Sequence, residues 1–174
     1  MKSLYESNRT IFDQSIKGPD GATLAFWESM RDTPFVANHR TLKREDWDKA
    51  IPVGLHGDAG SFSKQESVYL FTFNSLLGAG STASKRFIFT VMKKSQMTRE
   101  TINEILKVFA WSCNAMSTGI TPEFDWSGRP TEDRGGVWMA GGLKAFLAHV
   151  RGGWHFLKDL SIFHCFDGNN RNLS

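Results

Sequence analysis

The chain is poor in cysteine. It has two, Cys113 and Cys165, far apart and without metal-ligand spacing. That excludes a disulfide framework and points to a reduced, intracellular compartment. No apolar run is long enough to span a bilayer, so no membrane partner is expected. Met1 to Thr10 holds Glu6, Asn8 and Arg9 and no apolar centre, so it does not read as a secretory signal. The sequons Asn8-Arg9-Thr10 and Asn172-Leu173-Ser174 then carry no expectation of glycans. Long basic blocks are also missing. Lysine and arginine occur in pairs (Lys43-Arg44, Lys85-Arg86, Lys93-Lys94) and the net charge is only +3, which is compatible with nucleic acid but does not demand it. The run Gly78-Ala79-Gly80-Ser81-Thr82 lacks a Gly-Lys-Ser/Thr ending and no helical pattern follows it, so it reads as a connector and not a phosphate loop.

What is present suits one domain with a real core. The length of 174 residues is sufficient, and phenylalanine and tryptophan are plentiful, which argues against general disorder. The stretch the chain is organised around is Ile51-Pro52-Val53-Gly54-Leu55-His56-Gly57-Asp58-Ala59-Gly60. It starts as an apolar run, like a buried strand, and ends in Gly, His and Asp. A carboxylate released from a buried strand into a glycine turn can be aimed into a site. Equally, a His-Gly-Asp turn can be only a turn, since Asp hydrogen-bonds its own backbone there.

Residues 1 to about 22 are polar and contain the turn Gly18-Pro19-Asp20-Gly21. They read as a loose arm with room for a short helix around Tyr5 to Ile16. Thr23 to Arg31 has helical spacing, ended by Asp32-Thr33-Pro34. His39 falls in a loop as a solvated residue, and Arg44 to Lys49 makes one helical turn. Ser67 to Phe73 is the clearest strand. Lys85 to Met92 is a second, apolar on both faces and so expected inside the sheet. Thr98 caps a helix running to about Thr118, with Ile102, Ile105, Leu106, Phe109, Cys113 and Met116 in one stripe and Gly119 as its stop. Cys113 is therefore a core residue. Thr121 to Gly136 is loop, held to the body by Phe124 and Trp126, with Glu123, Asp125, Glu132 and Asp133 solvated. Leu143 to Val150 fits a strand or a helix start. His155 to Phe163 predicts a helix.

With Leu143 to Val150 as a strand, the chain is α/β. Three strands in succession form an antiparallel meander, and a fourth returns through the long helix to lie parallel to the first. Asp58 and the residues after Arg151 then face one cleft. This order resembles the ribonuclease-H-like fold of DDE transposases and related nucleases. The pieces Ile51–Asp58, Trp111-Ser112-Cys113-Asn114-Ala115, Asp125-Trp126 and Arg151-Gly152-Gly153-Trp154 are similar to mobile-element-like proteins repeated in some unicellular eukaryote genomes, over roughly Ala25 to Arg171.

The resemblance implies one partial ribonuclease-H-like domain over residues 23–168, a tail over 169–174, DNA as partner and the nucleus as location. It sets Asp58 at the first acidic place. The second falls at Gly153, where the related proteins usually carry Asp in an Arg-Gly-Asp-Trp run. Those proteins continue into a Cys-rich segment, whereas this sequence has only Asn169-Asn170-Arg171 near its end, so a truncated or decayed copy is expected. Two-metal phosphoryl transfer needs clustered carboxylates around ions about 3.5–4 Å apart. Asp58 with His56, two residues away on the same strand face, supplies half a site for Mg²⁺ or Mn²⁺. Asp159 could substitute only if the backbone brought it near. Three functions follow: a degenerate, inactive transposase-like domain, a nucleic-acid-binding remnant using Lys85, Arg86, Lys93 and Lys94, or a non-catalytic interaction module.

Overall fold

The computed structural model describes residues 2–61, 63–64, 66–81, 85–131 and 135–153. The expected helix over His155–Phe163, and with it Asp159 and Cys165, lies outside them. The described chain is α/β. Short helices α1 (Lys2–Ser7) and α2 (Arg9–Phe12) lead through a π-helical turn, Asp13–Lys17, to α3 (Ala22–Met30) and α4 (Pro34–Ala37). Four strands follow, β1 (Ala50–Ser61), β2 (Ser67–Ser75), β3 (Phe87–Lys93) and β4 (Lys144–Gly152), with the long helix α5 (Arg99–Thr118) between the last two. The sheet order is β3-β2-β1-β4. The first three strands are antiparallel neighbours and β4 runs parallel to β1. The ambiguity over Leu143–Val150 is thus resolved as strand.

Alternation along β1 divides the core. Ile51, Val53 and Leu55 point to one face, where Phe12, Ile16, Ala140, Ala145, Phe71 and Phe109 join them. Ala50 points to the other, against Trp27, Val36, Leu42, Trp47 and Phe146. Trp27 is fully buried and donates its indole N–H to the Ala50 carbonyl at 2.6 Å. That bond satisfies the polar atom a buried tryptophan brings with it. Pro52 is tolerated in a central strand because its carbonyl side faces β2 and accepts from Leu76 N at 2.9 Å. The ladder with β2 starts one residue later, at Val53, so the missing N–H interrupts nothing.

Three expectations are corrected. The N-terminal arm is not loose: Phe12 and Ile16 are 0% and 1% exposed. Its π-helical turn is held by the connector, with Ala79 N donating to Gln14 O at 2.9 Å. A Cβ at Gly78 would collide with the Ser15 carbonyl oxygen, so this contact requires glycine. Polarity misled here because a few apolar residues at helical spacing suffice to dock a short helix. Strand β3 is outermost and not interior; it starts at Phe87, and Ile88 and Val91 are 65% and 48% exposed. His39 is half-buried between Phe35 and Phe146, and its Nδ1 accepts from Leu42 N at 3.0 Å and Thr41 N at 3.3 Å. It closes the loop and does not simply sit in solvent.

The long helix matches its reading. Thr98 accepts from Thr101 N at 3.2 Å, and Gly119 ends the helix in the left-handed region at φ 70°. Among the described residues no helix is long and apolar enough to cross a membrane.

Two tests follow from this packing. Phe12→Ala should cost about 3–5 kcal/mol in urea unfolding, whereas truncation in a loose arm would leave the midpoint unchanged. His39 is held below the ordinary imidazole value of 6.5 by burial and then by Lys43. A lowered folded pKa means the unfolded chain takes up the proton first. The contribution is therefore present above 6.5 and lost as pH falls through the lower folded value. Thermal midpoints should drop on acidification from neutrality, and His39→Asn should flatten that dependence.

Candidate acidic site and cationic pocket

The parallel pairing of β1 with β4 sets the geometry. Gly57 lies opposite Gly152, so Asp58 and Gly153 are the next pair along. A Cβ placed on Gly153 would sit 3.0 Å from Asp58 Oδ1 and 3.9 Å from its Cγ. The two positions singled out in the sequence therefore meet. Asp58 belongs to the strand and not to a turn after it, because β1 continues to Ser61. Its side chain is exposed, and Oδ1 accepts from Ala59 N at 2.8 Å. That is the local Asx contact expected of the plainer reading, here made within a strand.

One step back on the same face lies His56. It is paired across the sheet with Thr72 on β2 and Arg151 on β4. Irregular pairing between Val53 and Gly54 skips Ala148, so that His149 faces Gly54 and Arg151 faces His56. Without that bulge, Ala148 and Val150 would occupy those places. The result is a pocket of about 190 Å³ lined by His56, Asn74, Lys85, Arg86, His149 and Arg151, with Gly54, Leu55 and Leu76 at its floor and wall. A Cβ on Gly54 would meet Leu76 Cδ2 at 3.3 Å and Asn74 Oδ1 at 3.5 Å, so glycine keeps the floor open.

The pocket is cationic. Desolvation, and then Arg86, hold His56 below the ordinary imidazole value. Asp58 partly offsets this and Arg151 adds to the lowering. Its Nδ1 is buried with no hydrogen-bond partner. Arg151 Nε donates to His149 Nε2 at 3.2 Å, which fixes that nitrogen as an acceptor. Arg86 and Arg151 beside His56 oppose a cation there, so a metal at this end would lean on Asp58 alone. Among the described residues no group of three or more His, Cys, Asp or Glu side chains could hold a metal ion.

The remaining candidates separate. Lys85 and Arg86 line the pocket. Lys93 and Lys94 lie at the opposite end of β3, and Lys93 pairs with Glu66 at 3.1 Å across the surface, an exposed contact of small energetic weight. Asp125 organises its own loop: Oδ1 accepts from Ser127 Oγ, Ser127 N and Arg129 N at 2.7–3.0 Å. These bonds, Ser127 first, hold its carboxyl down to about 2. Trp111 pins that loop by donating to the Phe124 carbonyl at 2.9 Å and meeting Trp126 edge-on. The Phe124 and Trp126 rings themselves stay half exposed, so the loop is held through a backbone carbonyl and one ring edge and not by burial of both aromatics.

Sequence reasoning missed Asn74, His149 and Arg151 as pocket residues. The only signal available was the Arg151-Gly152-Gly153-Trp154 piece, and the bulge that aims His149 and Arg151 leaves no mark in composition. Comparison with protein-family models, curated proteins and solved structures finds no match for the chain.

Burial in the cluster with Phe109 pushes the Cys113 thiol up to about 12, which leaves almost no thiolate near neutral pH. Iodoacetamide at mildly alkaline pH should leave the Cys113 peptide unmodified in the native protein and alkylate it in urea, as read by mass spectrometry. Native-state labelling would contradict this placement.

Proposed function

We propose that this chain is a ribonuclease-H-like domain of mobile-element descent whose acidic centre is incomplete, so that it does not act as an effective nuclease or strand-transfer enzyme. The observation that carries this reading is the 3.0 Å approach of a Gly153 Cβ to Asp58 Oδ1. Adjacent parallel strands bring one carboxylate and one glycine to the spot where a divalent cation would need two carboxylates. Metal–oxygen distances of about 2.0–2.6 Å fit an ion shared between those two positions. With Asp58 alone, Mg²⁺ or Mn²⁺ would be held weakly and through water. The strand order, with its returning parallel strand behind a long helix, supports the same descent.

The test is restoration. Gly153→Asp should raise Mn²⁺ affinity by about tenfold or more, which corresponds to about 1.4 kcal/mol or more, and Asp58→Asn in the same background should abolish the gain. Asp58 must rotate off Ala59 N to admit the new side chain, so calorimetry should be paired with a check that the variant melts cooperatively. Unchanged metal affinity in a folded variant would defeat the shared site. Metal-dependent DNA cleavage by the restored protein would strengthen it.

A second reading, nucleic-acid binding without chemistry, is favoured by the pocket. Lys85, Arg86 and Arg151 gather beside the acidic position, and none is in an ion pair with a described carboxylate. Three phosphate contacts give a slope of about −2 in log affinity against log salt for a single strand. Replacing Arg86 and Arg151 by Gln should bring it towards about −0.7. Affinity indifferent to ionic strength would exclude this reading and leave an interaction module. A nuclear location belongs to the same proposal.

A further inference from the structure

The pocket beside the acidic position has features that a surface for backbone phosphates does not need. It is a concave pocket of about 190 Å³. Its charged lining is of one sign: Lys85, Arg86 and Arg151, with no carboxylate among the lining residues. Asp58, on the same face, lies two residues beyond His56 along β1. Two arginines, a lysine and two histidines line it together with Asn74, whose amide donates to the Ser75 carbonyl at 2.9 Å. His56 also lines it, and its Nδ1 is buried with no hydrogen-bond partner among the described residues. Gly54 keeps the floor clear where any side chain would fill it.

We propose that this pocket binds the dianionic end of a phosphate monoester. A monoester carries about −1.5 to −2 charge near neutral pH and offers three terminal oxygens. An internal diester offers one charge and two free oxygens, and it must leave the pocket on both sides. Guanidinium pairs match phosphate oxygens two at a time. Three fixed cations around one cavity suit the more highly charged group. The inference builds on the nucleic-acid reading of this face only for the source of the phosphate, which is either the terminus of a strand or a free phosphate compound. The chemistry recognised is the same in both.

The probe is inorganic phosphate, titrated into the full chain and followed by calorimetry and by the imidazole resonances of His56 and His149. Saturable binding that perturbs both rings is expected. Arg86→Gln and Arg151→Gln should each weaken it about tenfold, the usual loss for one charge-assisted contact. Lys107→Gln, on the exposed surface of α5 and paired with Glu104, should change nothing. Both arginines are exposed, so unchanged thermal midpoints will show that lost binding is not lost folding. A second arm compares one oligonucleotide carrying a 5′-phosphate with the same strand carrying a 5′-hydroxyl. A preference for the phosphorylated strand that Arg151→Gln erases assigns the ligand to a nucleic-acid end. Phosphate binding without such a preference assigns it to a free phosphate compound and counts against the nucleic-acid reading alone. No saturable phosphate binding, or binding indifferent to both arginine substitutions, overturns the proposal whatever the salt series shows.

Discussion

The parallel pairing of β1 with β4 is the constraint on which the molecule depends. Parallel neighbours cannot be joined by a tight turn, so the chain must cross over, and α5 provides the crossing. Its apolar stripe, from Ile105 to Cys113, then covers the face of the sheet bearing Leu55, Phe71 and Leu147. Among the described residues the opposite face is covered at one end, by Trp27, Val36 and Trp47. Asp58, His56 and Arg151 stand at its other end. Site and core are thus two results of one topology: the helix that closes the hydrophobic layer also brings residues about a hundred positions apart to the same strand ends.

Much of this architecture can be read in the residues because it depends on local rules. Thr98 and Gly119 bracket α5 as a cap and a left-handed stop should. Ser67–Phe73 alternates and is aromatic, and it forms a strand. The meeting of Asp58 with the neighbourhood of Gly153 follows once Leu143–Val150 is taken as a strand. What fails is non-local. The apolar character of β3 suggests an interior position, yet nothing in a strand's own sequence states how many neighbours it has. The polar look of the first 22 residues hides Phe12 and Ile16, whose burial depends on a groove built from distant segments. The bulge at Val53/Gly54 is also invisible, since it depends on how β4 accommodates Ala148 between two packed layers.

Opposite charges sit side by side on that face. Asp58 is the anionic position, and two pairs along, beside His56, lie a lysine and two arginines. A hard cation is drawn to the first and repelled by the second, while an anion meets the reverse. The one glycine beside Asp58 and the other beneath the pocket act alike, each leaving a space where a side chain would stand. Gly153 leaves a carboxylate without a companion. Gly54 leaves a cavity without a floor plug.

The outermost place of β3 has a consequence for how this protein behaves in a crowded solution. A seven-residue strand with Ile88 and Val91 bared and no further strand beside it among the described residues is an invitation to a second chain, because an edge backbone can template another strand. It is bracketed by Lys85-Arg86 before and Lys93-Lys94 after. Two copies trying to zip edge against edge in antiparallel fashion would bring one basic pair against the other at each end. Such like charges oppose fibrillar stacking, least at Lys93, which is paired with Glu66, so neutralising Lys85, Arg86 and Lys94 would trade away colloidal stability along with any affinity they confer.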